Sequence, residues 1–202
     1  MFGGKKLSPQ ERAKQWKQTI RTERRAINRQ MLKIEREEEK IKQKVKLLMK
    51  QGHQDAVMPL IAEIANSKKT RSKLLKTCTQ LDSMSRQIDL QMAQVKVCGT
   101  FQKSAEVTRM MNQMVKVPEM QRTMMQLQQE MEKSGLTEEM LDETMDELNG
   151  DTEAEDQELA VRLVYNEIAK DVSKTTGKPI EQIPIDQEEI EENPDLVKMA
   201  AL

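Results

Sequence analysis

Apolar side chains recur along the first half of the chain at intervals of three, four or seven residues. Such intervals place successive side chains on one face of an α-helix. We therefore predict a helix from about Lys14 to Lys50, ended by the polar residues Gln51 to Gln54 because Gly52 suits a helix C-terminus. The apolar positions of this helix are Trp16, Ile20, Ile27, Met31, Ile34, Ile41, Val45 and Leu48.

A second apolar series follows, and Asp55 can cap the helix that contains it. Pro59 is tolerated there because it falls in the first turn. Two helices of about 35–45 residues joined by a short loop predict an antiparallel hairpin over residues 14–97, in which each helix buries the apolar face of the other. The second series is Val57, Leu60, Ile61, Ile64, Leu74, Leu75, Cys78, Leu81, Met84, Ile88, Met92 and Val95.

Shorter helices are predicted over residues 98–148. Residues 101–115 form the first, and Pro118 both ends it and can open the next at its first position. Ser134-Gly135 ends this second helix, and a short acidic helix follows from Thr137 to about Leu148. The second helix carries an apolar stripe at steps of four, three and four residues, formed by Met120, Met124, Leu127 and Met131.

The C-terminal part of the chain is predicted to contain one more long helix. Residues 149–155 read as a linker, and residues 156–172 as a helix with apolar positions such as Leu159 and Ile168. Acidic residues surround Pro179 and Pro184, so residues 173–193 are expected to be disordered before a short apolar end. The predicted fold is therefore all-α: a long hairpin, shorter helices and an acidic, partly disordered tail.

Composition and charge change this picture in two ways. Only 2% of the residues are aromatic and 33% are charged, which favours long, thin helical packing over a wide core. Residues 1–103 contain 24 lysines and arginines against 10 acidic residues, whereas residues 104–202 contain 9 against 24. A basic half joined to an acidic half can bind an anionic surface, bind itself, or do each in turn.

The pattern of reactive side chains predicts no enzyme activity, metal site or cofactor. His53 lies alone in a polar turn, and a metal site needs three or four converging ligands. Cys78 and Cys98 are about 30 Å apart on one predicted helix, so they are expected to be free thiols in a reducing, cytoplasmic compartment. No apolar run approaches the roughly 18 residues of a membrane-spanning helix.

The basic residues indicate an anionic membrane as partner. Nucleic acid is disfavoured, because reading it needs aromatic stacking or a compact recognition module and this chain has four aromatic residues. Lipid headgroups need only positive charge and an apolar anchor, which Met1 and Phe2 would supply in a membrane-anchoring tip of residues 1–13. The predicted membrane-binding residues are Met1, Phe2, Lys5, Lys6, Arg12, Lys14, Lys17, Arg21, Arg24 and Arg25.

Two stretches carry a resemblance to a known family. They are RQMLKIEREEEKIKQKVK at residues 29–46 and GTFQKSAEVTRMMNQMVKVPEMQRTMMQLQQEMEKSGLTEEMLDETM at residues 99–145. With the basic hairpin and acidic tail, they make the chain resemble the ESCRT-III proteins, also called Snf7-like or charged multivesicular body proteins. The resemblance covers most of residues 1–170.

The resemblance implies a subunit that polymerises on endosomal membrane with other ESCRT-III subunits, for multivesicular body sorting and membrane fission. It also implies a switch between an open form and a closed, autoinhibited form, in which the helix at 156–172 folds back on the basic hairpin. The implied autoinhibitory contact joins Ala56, Val57, Met58, Pro59, Leu60 and Ile61 to Leu163 and Val164. The stripe from Met120 to Met131 would then be a polymer seam that exchanges partners.

The resemblance further implies that residues 173–202 dock the MIT domain of a Vps-four-type AAA ATPase. The motif is degenerate, because Asp195 stands where the family has a leucine. A coiled-coil scaffold or adaptor without direct membrane activity is the alternative function. The implied docking residues are Glu192, Leu196, Lys198, Met199 and Leu202.

Overall fold

The computed structural model describes residues 7–137, 153–177 and 179–200. The described residues form helices and no strands. The predicted all-α fold with a long hairpin is therefore confirmed. The α-helices are α1 (Pro9–Gln51), α2 (Val57–Cys98), α3 (Ala105–Val115), α4 (Gln121–Lys133), α5 (Glu153–Thr176), α6 (Gln187–Glu192) and α7 (Pro194–Ala200).

Helix α1 begins at Pro9, five residues before the predicted start and inside the segment assigned to the tip. The Ser8 backbone N–H donates to Glu11 Oε2 at 2.8 Å, and Ser8 Oγ accepts from the Glu11 backbone N–H at 3.3 Å. This reciprocal pair is a capping box, and a proline at the first helical position fits it. The serine, proline and glutamate were the start signal that the apolar pattern overlooked.

The hairpin turn lies where the glycine indicated. Helix α1 ends at Gln51, and Gly52 has a φ of +80°, the left-handed conformation that glycine adopts at little cost. A single 3-10 turn, Gln54–Ala56, precedes α2. Pro59 is the third residue of α2, where no intrahelical N–H bond is lost.

The third and fourth helices are shorter than predicted at their N-terminal ends. Ser104, whose Oγ accepts from the Val107 backbone N–H at 3.4 Å, caps α3, so residues 101–104 lie outside the helix. Pro118 does not open α4, which begins at Gln121 after a turn. Gly135 ends α4 with a φ of +78°. The predicted helix from Thr137 to about Leu148 lies, beyond its first residue, outside the described residues.

The described residues fall into two compact units. The first contains residues up to Arg29 and from Leu75 to Thr137. Its core includes Trp16, whose ring centroid lies 5.1 Å from that of Phe101. The other large buried side chains of this unit come from the first part of α1, the last part of α2, α3, and the stripe of Met120 and α4. They are Ile20, Ile27, Leu81, Met84, Ile88, Met111, Met114, Met120, Met124, Leu127 and Met131.

The second unit contains residues 30–74 of the hairpin with the described residues from Glu153 onward. Helix α5 runs from Glu153 to Thr176 and is longer at both ends than the predicted helix. The expectation that residues 173–193 are disordered is corrected: α5 continues into this segment, α6 lies within it, and Ile180 and Ile183 pack against the core of the unit. Acidic composition and prolines suggested disorder. Four apolar side chains of the tail, Ile180, Ile183, Leu196 and Met199, nevertheless pack in or against the apolar core of this unit.

Candidate functional site

The candidate site is the interface of α5 and the tail with the hairpin segment of the second unit. Val164, Ile168 and Val172 recur every four residues on α5, and each side chain is almost completely buried. Val57, Ile61 and Ile64 of α2, together with Val45 of α1, belong to the same apolar cluster. Burial of one such aliphatic side chain favours this packing by about 1.5–3 kcal/mol before entropic costs. The interface therefore depends mainly on apolar contact.

Ion pairs flank this apolar cluster. Glu167 Oε1 accepts from Lys42 Nζ at 2.7 Å, and Glu167 Oε2 accepts from Lys68 Nζ at 3.0 Å. One helical turn further along, Asp171 Oδ2 accepts from Lys46 Nζ at 3.1 Å. Lys42 and Lys46 are four residues apart on α1, as Glu167 and Asp171 are on α5. The equal spacing lets two carboxylates meet two ammonium groups on facing helices.

The pairs perturb the carboxyl groups in a way that favours their charged forms. Burial alone would raise the pKa of Glu167, but hydrogen bonds from Lys42 and Lys68 outweigh it, so the pKa lies below its ordinary value. The hydrogen bond from Lys46 lowers the pKa of Asp171. Both carboxylates therefore stabilise this packing while they are ionised.

Lys68 is the most deeply buried of these three lysines. Its side chain is only 3% exposed, and its ammonium group donates to the Ala200 backbone carbonyl of α7 as well as to Glu167. A buried lysine is costly unless it is paired and hydrogen-bonded. Lys68 therefore joins α2 to both α5 and α7.

A charged groove lies beside these pairs. Arg71 donates to Glu38 Oε2 at 3.3 Å, and both groups line the groove, of about 380 Å³, together with Glu167. Burial raises the pKa of Glu38, and the nearby cations oppose that change. Acidic and basic side chains both line the groove, so it presents no excess of one charge.

The implied autoinhibitory residues are only partly brought together. Val57, Ile61 and Val164 lie in the apolar cluster, and Leu60 packs against it. Ala56, Met58 and Pro59 are exposed. Leu163 is half-buried outside the cluster, since it lies about 100° around the helix from Val164.

The predicted membrane-binding residues are distributed differently. Arg12 donates to Ser134 Oγ at 2.9 Å, Lys17 pairs with Asp89 at 2.5 Å, and Arg24 pairs with Asp82 at 3.2 Å. Lys14, Arg21 and Arg25 are exposed on α1. Four further predicted residues lie outside the described residues: Met1, Phe2, Lys5 and Lys6.

Four of the five residues predicted to dock the ATPase lie on α6 and α7. Glu192 and Lys198 are exposed, Leu196 packs against the apolar cluster, and Met199 is 3% exposed within it. Leu202 lies outside the described residues. Of these residues, the charged Glu192 and Lys198 are thus exposed, whereas the apolar Leu196 and Met199 are covered.

Several residues of the interface were missed at the sequence level. Glu167 and Asp171 were counted only as acidic charge, although their spacing matches that of Lys42 and Lys46. Asn166 drew no attention, yet its side-chain amide bonds to the tail backbone. A search for equal spacing of opposite charges on two predicted helices would have included these ion pairs among its candidates, without singling them out.

Within the residues that the structure describes, no helix is both long and apolar enough to cross a membrane.

Comparisons with known proteins give consistent results. A family model described as Snf7 matches residues 15–193. The chain is 36% identical over 178 residues to human "Charged multivesicular body protein 3", which covers 87% of this chain and 80% of the human protein. The Xenopus tropicalis protein of the same name is 35% identical over 87% of this chain and 81% of its own length. The mouse protein of the same name is 35% identical, over 87% of this chain and 80% of its own length.

Proposed function

Since this chain belongs to the Snf7 family, we propose that it is a non-enzymatic ESCRT-III subunit acting in multivesicular body sorting and membrane remodelling. It polymerises with other ESCRT-III subunits on anionic endosomal membrane and alternates between a closed cytoplasmic form and an open form. The packing of α5 on the basic hairpin is the observation that carries this proposal.

The chemistry of that interface supports a reversible closure. Val164, Ile168 and Val172 cover apolar hairpin side chains that would otherwise face water or a neighbouring subunit. Glu167 and Asp171 pair with three lysines of the hairpin, and anionic lipid would interact favourably with the same lysines once α5 left. Closure and membrane binding thus compete for one set of positive charges.

The methionine-rich stripe supports the polymer. Met120, Met124 and Met131 are buried in the first unit, and unbranched thioether side chains adapt to irregular surfaces. We propose that this stripe, with Leu127, repacks against a neighbouring subunit when the chain opens. The membrane contact is assigned to the tip with Met1 and Phe2 and to the basic residues of α1.

The tail supplies the proposed contact with the AAA ATPase. Leu196 and Met199 cover the apolar cluster in the closed form, so an MIT domain that binds them must first displace α7. Glu192 and Lys198 are exposed and could contact such a domain before that displacement. The scaffold alternative assigns no role to the lysines that pair with α5.

A charge placed in the apolar cluster tests the proposal. Val164→Asp buries a carboxylate among aliphatic side chains, which is costly, so α5 should leave the hairpin. We expect several-fold more of the full-length variant than of the wild type to sediment with vesicles of phosphatidylcholine and phosphatidylserine. Electron microscopy of the pelleted vesicles should reveal filaments.

Leu163→Asp is the matched control, since it adds the same charge one residue away and outside the cluster. The added negative charge by itself weakens binding to anionic vesicles, so an increase must come from opening. Equal vesicle binding by the two variants would contradict the role of the cluster. Vesicle binding by neither wild type nor Val164→Asp would favour the scaffold alternative.

A further inference from the structure

The tail segment of residues 179–189, here called the strap, runs back along α5. The Ile180 backbone N–H donates to Ser173 Oγ at 2.9 Å, and Glu189 accepts from both terminal nitrogens of Arg162 at 3.1 and 3.2 Å. As the strap advances from residue 180 to 189, its partners on α5 recede from residue 173 to 162. The strap is therefore antiparallel to α5.

The central contact of the strap is a two-fold hydrogen bond with Asn166. The Asn166 side-chain nitrogen donates to the Ile183 carbonyl at 2.8 Å, and Asn166 Oδ1 accepts from the Ile183 backbone N–H at 2.8 Å. The carboxamide thus satisfies both backbone groups of one extended residue, as a neighbouring strand would in a sheet. This interaction recognises an extended backbone rather than a particular side chain.

The geometry of the two elements matches over this distance. Seven residues of helix, from Asn166 to Ser173, rise by about 10.5 Å. Three extended residues, from Ile180 to Ile183, span about 10 Å. Asn166 and Ser173 lie on the same face of α5 because seven residues complete nearly two turns.

Two prolines favour the extended form of the strap. Pro184 restricts Ile183 to the extended region, in which its N–H and carbonyl can both reach one amide. Pro179 fixes its own φ at the start of the strap. The side chains of Ile180 and Ile183 are half-buried against the apolar cluster. The strap is thus pre-ordered for the surface that it covers.

We propose that Asn166 is a positioning residue that fastens the strap to α5, and that the strap is a second, separable element holding α5 on the hairpin. Apolar burial of Val164 and Ile168 and backbone recognition at Asn166 are different interactions on different faces of one helix. Loss of the strap therefore loosens α5 without altering its hairpin-facing side chains. This inference rests on the proposed function only for its consequence at the membrane.

Hydrogen exchange of the full-length protein in solution tests the strap directly. In Asn166→Ala, we expect exchange at the Ile183 amide to be about tenfold faster, because two hydrogen bonds are lost. Exchange along α5 should also be faster, although alanine has the higher helix propensity, so the effect opposes the local preference. Ser173→Ala removes the bond to Ile180 and should give a smaller change of the same kind. The control is Lys170→Ala, at an exposed position of the same helix.

The same proteins are then sedimented with vesicles of phosphatidylcholine and phosphatidylserine. Wild-type exchange rates over residues 180–189 in both Asn166→Ala and Ser173→Ala would contradict the proposed attachment of the strap to α5. Faster exchange in the strap with unchanged exchange in α5 would overturn its role in holding that helix. Faster exchange in both the strap and α5, without more vesicle binding, would support the strap as a structural element. It would contradict the proposed link between opening of α5 and membrane binding.

Discussion

Neutralising Glu167 should open the interface of α5 with the hairpin much more than neutralising Asp171. Glu167→Gln keeps the size of the side chain and one acceptor, but it leaves the buried ammonium group of Lys68 without its compensating charge. Asp171→Asn makes the same change one turn away, opposite Lys46. Each variant removes one negative charge from α5, so the two differ chiefly in burial.

The expected magnitudes follow from the exposure of the partners. Breaking a fully buried ion pair costs about 3–5 kcal/mol, whereas an exposed pair contributes about 0–1 kcal/mol. Lys68 is 3% exposed and Glu167 is 38% exposed, so we expect about 2 kcal/mol for Glu167→Gln, between these limits. Lys46 and Asp171 are 35% and 45% exposed, so we expect at most about 1 kcal/mol for Asp171→Asn.

Hydrogen exchange along α5 measures the opening equilibrium. A cost of about 2 kcal/mol corresponds to roughly thirtyfold faster exchange, and one of 1 kcal/mol to about fivefold. In 1 M salt the difference between Asp171→Asn and wild type should disappear, while most of the Glu167→Gln effect should remain because buried pairs are screened less. Equal exchange in the two variants, or a Glu167→Gln effect abolished by salt, would refute the reasoning from burial.

The remaining predictions concern pH and the methionine stripe. Because the pKa values of Glu167 and Asp171 are lowered from 4.5 and 3.8, their stabilisation is complete above those values and is lost as pH falls below about 4.5. Exchange along α5, corrected for its intrinsic pH dependence, should rise as the pH falls from about 5 to about 3 in wild type and rise less in Glu167→Gln; equal pH dependence would contradict this. Met124→Ala should lower the free energy of unfolding by about 2–5 kcal/mol, since its side chain is fully buried. The adjacent Met125→Ala, at an exposed position, should change it by no more than about 0.5 kcal/mol in denaturant titrations, and similar losses would argue against a packed stripe.

The hairpin could be predicted from the sequence because its helices are long and their apolar residues recur regularly. Gly52 and Gly135 marked two helix ends correctly, because the left-handed conformation at each is readily adopted only by glycine. The start of α1 was misplaced because a capping box is a polar signal that precedes the apolar pattern. Pro118 was misassigned because a proline is compatible with both a turn and a first helical position.

The candidate site was predicted less completely, since its residues come from segments far apart in the sequence, such as Lys68 and Glu167, which are 99 positions apart. Val164 and Ile61 were identified through the family resemblance, and both are buried in one cluster. The choice of Leu163 beside Val164 could not be tested without knowing which face of α5 meets the hairpin. Pairing of Lys42 with Glu167 depends on that same rotation, which sequence spacing alone leaves open.

The tail shows why composition is a poor guide to order in this chain. Acidic residues and prolines normally indicate disorder because such segments bury too little apolar surface to offset their entropy. Here the prolines reduce the entropy that ordering must overcome, and Asn166 satisfies the backbone groups that an isolated extended segment would leave to water. Four apolar side chains, Ile180, Ile183, Leu196 and Met199, then suffice because the cluster that they cover already exists.

Lys68 contacts both Glu167 and the Ala200 carbonyl, so displacement of α7 deprives a buried ammonium group of one acceptor and weakens the attachment of α5 as well.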